Sequence, residues 1–78
     1  MKSGQLGSIL CATGYRKQPV YGLPQFEYRH AESGLEIRLP APDDLEVPYA
    51  MVMGVRRFLS DAGQMTPEVF DRLTAAAV

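Results

Sequence analysis

Cysteine and histidine occur once each in this sequence, as Cys11 and His30, and tryptophan does not occur at all. A single cysteine forbids an internal disulfide, and one cysteine with one histidine cannot supply the repeated Cys/His spacing of a structural zinc site. For so small a chain the lack of a disulfide points to a reducing compartment, and a cytoplasmic protein is expected. Long hydrophobic runs are missing as well. The apolar patch Ile9 to Ala12 is too short for a signal-peptide core or a membrane span, so no membrane role is expected. The glycines at 4, 7 and 14 match neither the dinucleotide-binding nor the P-loop spacing. No cofactor, no metal and no small-molecule substrate is therefore expected.

An excess of one charge is also lacking, the net charge being −1. Residues 1–42 carry five basic and three acidic side chains, and residues 43–78 three basic and six acidic. Such a dipole can orient encounters with a charged partner, but it falls short of the basic footprint of a dedicated nucleic-acid binder.

What is present fits one small domain spanning residues 1–78, with 46% apolar and 22% charged residues. That composition is ordinary for a globular chain, at a length where roughly 60% of the unfolded surface is buried on folding. The clearest punctuation lies between Pro48 and Leu73, which reads as two helices joined by a tight turn. Pro48 and Pro67 suit helix starts, Gly63 suits a left-handed helix end, and Thr66 can cap the second helix. Met65 and Phe70 have the spacing of a hydrophobic staple across that cap. Asp43, Asp44 and Glu46 precede the first of these helices, where negative charge favours a helix N-terminus, and they lack the loop template of a calcium cage.

Between Pro24 and Pro40 the pattern has period two and predicts a β-hairpin. Pairing His30 with Leu35 across the loop 31–34 sets Tyr28 opposite Ile37 and Phe26 opposite Leu39. The same register sets Arg29 opposite Glu36 and Glu27 opposite Arg38, so the apolar residues share one face and both charged pairs are of opposite sign. Gly34 suits the positive φ that closes such a loop. Upstream, Leu6, Ile9 and Leu10 have helical spacing over Ser3 to Thr13, with Gly14 suited to end a helix, but Gly4 and Gly7 each cost a helix about 1 kcal/mol, leaving a loose arm or a short strand through Ile9 to Ala12 open beside it. Residues 15–23 read as an irregular linker, from Pro19, Gly22 and the following Pro24.

The expected fold is thus α+β: a β-hairpin packed against a C-terminal helix-turn-helix pair over 44–78, with an N-terminal arm or short helix. The chemistry of a catalyst is hard to assemble from these residues. Glu27 and Glu36 fall on the outer, solvated face of the hairpin, Cys11 reads as a small buried hydrophobe, and His30 as a partly buried residue bonded to backbone or water.

The run Tyr49 to Val55 is apolar on every side of a helix, and so small a protein cannot surround it. Tyr49 and Met53, four apart on one stripe, should lie near the surface and mark an interface, while Met51, Val55, Phe58 and Leu59 follow a core stripe. Arg56 and Arg57, the adjacent arginines, are expected to meet protein carboxylates if they meet a partner at all. The functional expectation is a non-enzymatic protein–protein interaction module, such as a homodimeric adaptor or a small inhibitor of a larger assembly, of bacterial or phage origin. The alternative is a nucleic-acid-binding regulator using the C-terminal helical hairpin, whose second helix carries Glu68, Asp71 and Arg72. A small enzyme resting on Cys11 and His30 comes third.

Overall fold

The architecture comes from a computed structural model that describes residues 1–77; the last residue of the expected 44–78 segment, Val78, lies outside the described residues. In chain order the elements are α1 (Ser3–Ala12), β1 (Tyr15–Pro19), β2 (Gln25–His30), β3 (Glu36–Pro40), α2 (Tyr49–Asp61) and α3 (Pro67–Ala77). The strands form an antiparallel sheet in the order β1-β2-β3, and the fold is α+β. Among the described residues no helix is long and apolar enough to cross a membrane.

The β2–β3 hairpin has the register that its charges and apolar residues dictate: Phe26 faces Leu39, Tyr28 faces Ile37, Arg29 faces Glu36 and Glu27 faces Arg38. His30 N–H donates to the Leu35 carbonyl at 2.8 Å, and Gly34, at φ 73°, closes the loop by donating to the His30 carbonyl at 3.0 Å. The start of α3 also follows its local signals. Thr66 Oγ1 accepts from Val69 N–H at 3.3 Å, Phe70 is fully buried with Met65 packed against the same core, and Gly63 takes the left-handed conformation at φ 69°.

Three expectations are corrected. Residues 15–19 form a strand, β1, where a linker was expected, with Lys17 facing Tyr28 and Gln18 facing Glu27. Its apolar alternation is hidden because an inward position is a lysine. The Lys17 stem lies along the sheet, its ammonium sits 4.2 Å from the centre of the Phe26 ring, and it donates to both Asp43 carboxylate oxygens at 2.7 Å.

Residues 3–12 form a helix despite Gly4 and Gly7, and this helix covers the apolar face of the sheet. A methyl group at Gly7 would overlap the hydroxyl of Tyr28, a central core residue, and one at Gly4 would come within 2.8 Å of Asp43 Cβ. Both glycines therefore let backbone and neighbour approach, a gain that local helix propensity does not register.

The acidic segment before α2, thirdly, does not serve that helix, whose first turn has no acidic residue. Its backbone instead caps α1: the Asp43 and Leu45 carbonyls accept from Gly4 and Ser3 N–H, each at 2.8 Å. These are two of the donors that a helix start leaves without intrahelical partners.

The core joins Leu6, Ile9 and Leu10 of α1, Tyr15, Tyr28 and Leu39 of the sheet, and Val52, Val55, Leu59 and Phe70 of the last two helices. Each large side chain fully buried there contributes on the order of 1.5–3 kcal/mol. Helix α3 lies against both α1 and α2. Gln5 reinforces this arrangement from both ends of its amide, accepting from Lys2 N–H at 2.8 Å and donating to the Ala77 carbonyl at 2.6 Å. Tyr15 ties β1 to the α2–α3 turn by donating to Gln64 Oε1, and burial pushes its phenol up, partly offset by that bond.

Candidate interaction surface

Pro48 stands one position earlier than expected, as the extended residue that precedes α2 (φ −64°, ψ 150°), and Tyr49 is the first helical residue. The helix turns Val52, Val55 and Leu59 into the core. Tyr49, seven residues before Arg56 and four before Met53, falls on the stripe that runs past α3. It is 75% exposed, whereas Met53 is half-buried against the core. Together with Val47, Val52, Thr74 and Ala75 they line an open groove of about 330 Å³ between the start of α2 and the end of α3. Its floor is apolar, formed by the buried Val47 and Val52, and Thr74 turns its hydroxyl back to the Asp71 carbonyl at 2.9 Å.

Arg56 continues that stripe and grips Asp71 across the two helices, Nε to Oδ1 at 2.9 Å and Nη2 to Oδ2 at 3.1 Å. This fork-on-carboxylate bond, with the Asp71 charge, raises the arginine above its ordinary range. The carboxylate that Arg56 meets is thus one of its own chain, and its donors hold α2 to α3 beside the groove. Arg57 points elsewhere: it is exposed and lies 3.6 Å from Asp61, one turn along the same helix. Three of the four expected residues, Tyr49, Met53 and Arg56, are accordingly gathered at one helix–helix seam, and Arg57 is not among them.

The opposite side of α2 has a second concave surface of about 340 Å³, between Ile37 and Leu39 of β3 and Met51, Gly54, Val55 and Phe58. Met51 and Phe58, expected in the core, are half-buried here. Gly54 lies in the helix interior, where glycine costs about 1 kcal/mol relative to alanine. No neighbour comes within 4 Å of a methyl group placed there, so the fold itself does not require glycine.

The remaining chemical candidates are dispersed. Cys11 is exposed, contrary to expectation, because α1 turns Leu6, Ile9 and Leu10 inward and position 11 falls on its outer side. His30 is half-buried: its ring lies 5.0 Å from that of Tyr15, and its Nδ1 accepts from Ser33 N–H at 3.2 Å. Among the described residues no group of three or more Cys, His, Asp or Glu side chains could hold a metal ion.

Glu27 is also corrected. It sits on the outer face but on the central strand, where its neighbours leave it 9% exposed. Gln18 Nε2 donates to it at 2.7 Å, and Arg29 Nη2 bridges Glu36 at 2.7 Å and Glu27 at 3.1 Å. Hydrogen bonding within this cluster, through Glu36 first and then Gln18 and Arg29, pushes the Glu27 carboxyl down to about 2. Such a group is locked in its ionised form and cannot exchange protons near neutrality.

The β1–β2 turn displays apolar side chains that its sequence does not announce. Tyr21 is fully exposed there and Leu23 half exposed, a display that Pro24 and Gly22 signal only as a turn. No protein-family model, no curated protein and no solved structure matches the chain.

Proposed function

We propose that this chain is a non-enzymatic protein-interaction module of the cytoplasm, a small adaptor or an inhibitor of a larger assembly, that receives an apolar side chain of a protein partner in the groove between α2 and α3. The observation that carries this reading is Tyr49, three-quarters exposed at the mouth of an apolar groove between two helices, where Tyr21, the other strongly exposed aromatic, stands on a turn. An aromatic ring with a polar tip, beside a methionine and over an apolar floor, has the composition enriched at protein interfaces. Charge argues in the same direction. The exposed polar face of α3 offers Glu68, Asp71 and Arg72, and Asp71 already neutralises Arg56, which leaves little attraction for a phosphate backbone.

The test compares the wild-type chain with the double variant Tyr49→Glu, Met53→Lys in capture from lysate with nuclease added. The expected result is a protein retained by the wild type in the presence of nuclease and lost by a folded double variant. Capture that nuclease abolishes would favour nucleic-acid binding instead. Unfolding by Met53→Lys alone at every concentration would make this stripe core, and the groove reading would fail.

A further inference from the structure

The sheet has two edges, and they are not equivalent. At the β3 edge, Leu35 accepts from His30 N–H at 2.8 Å and Ala41 donates to the Pro24 carbonyl at 2.9 Å. Since backbone groups alternate sides along an antiparallel strand, Leu35, Ile37 and Leu39 direct theirs towards β2, and Glu36 and Arg38 direct theirs away from the sheet. These outward N–H and C=O groups form a free edge over the middle of β3. Further along, the Pro40 carbonyl is taken by Ser3 Oγ.

We propose that this edge pairs with the same edge of a second copy of the chain, antiparallel about a two-fold axis at Ile37, joining two three-stranded sheets into one of six strands. Geometry allows three symmetric registers in which outward-directed groups of this stretch meet. One sets Glu36 against Glu36 and another Arg38 against Arg38, each a like-charge contact directly across the strands. The third centres on Ile37. It sets Glu36 of each copy against Arg38 of the other, so both pairs are of opposite charge and four backbone hydrogen bonds form. Among the described residues Arg38 has no ion pair within its own chain, although it faces Glu27 in the register, so its guanidinium is uncommitted. On the inner face the same register brings Ile37 onto Ile37 and the exposed Leu35 opposite Leu39 of the other copy. Those side chains lie over the groove of about 340 Å³ floored by Met51, Gly54 and Phe58, which the added strand covers.

The opposite edge explains why association stops at two. Val20 donates to the Gln25 carbonyl at 3.3 Å and Ala31 to the Gly14 carbonyl at 3.4 Å, so on β1 the residues whose backbone groups point away from the sheet are Tyr15, Lys17 and Pro19. Proline has no N–H to offer, symmetric pairing at Lys17 would oppose two lysines, and the register centred on Arg16 would oppose two arginines directly across the strands. An isologous contact through β3 uses the one available edge of each copy and closes. The inference does not rest on the Tyr49 groove. Tyr49, Met53 and Arg56 lie on the side of α2 away from Met51, Gly54 and Phe58, so a β3-paired dimer presents two such grooves to solvent.

Native mass as a function of concentration, with charge exchange at the two facing positions, tests the proposal. Wild type is expected to be a dimer. Arg38→Glu alone opposes Glu36 with glutamate, and Glu36→Arg alone opposes Arg38 with arginine, each weakening the dimer roughly tenfold or more. Mixing the two variants restores both opposite-charge pairs, and a one-to-one heterodimer is expected from two chains that are each monomeric. On the wild-type chain, amide exchange at Glu36 and Arg38 should be protected at high concentration and lose that protection on dilution, a readout that holds even if a variant fails to fold. A monomeric wild type, an Arg38→Glu dimer of undiminished affinity, a mixture that stays monomeric, or Glu36 and Arg38 amides that exchange freely at every concentration would each overturn it. The Tyr49→Glu, Met53→Lys variant should keep the dimer mass, which separates failure of this inference from failure of the groove reading.

Discussion

Two helical glycines in this protein should respond in opposite directions to the same substitution. Gly54 lies in open space, so Gly54→Ala adds a methyl that meets nothing and removes the conformational freedom of the unfolded chain. A gain of about 0.4–1 kcal/mol follows. Gly7 faces the Tyr28 hydroxyl, and Tyr28 is 1% exposed at the centre of the sheet, between β1 and β3. Its ring is enclosed in the same core as the fully buried Leu6, Leu10 and Leu39, which leaves little room to swing aside. Overpacking of this kind costs typically about 1–3 kcal/mol and outweighs the helical gain. For a domain of this size each kcal/mol shifts the melting temperature by roughly 4–8 °C. Thermal unfolding followed by circular dichroism, at a dilution where the chain is monomeric, should therefore place Gly7→Ala roughly 5–20 °C below the wild type and Gly54→Ala a few degrees above it. A Gly7→Ala variant as stable as Gly54→Ala would refute the packing of α1 on Tyr28.

Two further outcomes follow from the charged clusters. The folded pKa of Glu27, about 2, lies below its value in the unfolded chain, so its contribution is complete above the ordinary glutamate range and is lost as pH falls towards 2. The stability difference between wild type and Glu27→Gln, measured by denaturant unfolding, should accordingly shrink between about pH 5 and pH 2; a difference independent of pH would show that the carboxylate is not held by Gln18 and Arg29. For the Arg56–Asp71 pair, a double-mutant cycle to alanine should give a favourable coupling that weakens at high salt, because both groups are partly exposed. Zero coupling would remove Arg56 as the tie between α2 and α3.

Legibility in the sequence followed the range of the interactions. The β2–β3 register could be read because apolar alternation and charge pairing agree on one register, and a slip of one residue spoils both. The α2–α3 turn could be read because Gly63, Thr66 and Pro67 act within a few residues of themselves. What could not be read depends on contacts far along the chain. Gly4 and Gly7 count against a helix locally, yet Asp43 and Tyr28 approach α1 at those two positions. The strand β1 is disguised by Lys17, whose partner Asp43 is 26 residues away. In the candidate surface, the exposure of Tyr49 followed from counting too few apolar neighbours for the Tyr49–Val55 run. The commitment of Arg56 to Asp71 did not, since it requires the crossing of two helices to be known.

The most direct measurement is photo-crosslinking from position 49. A photoreactive phenylalanine analogue replaces Tyr49 in one preparation and the fully exposed Tyr21, at the β1–β2 turn, in another, and both are irradiated in lysate. A discrete protein adduct is expected from position 49 and not from position 21, and it should disappear when Met53→Lys is added to the folded chain. Adducts of equal yield from both positions, an adduct to nucleic acid, or none from position 49 would contradict the account.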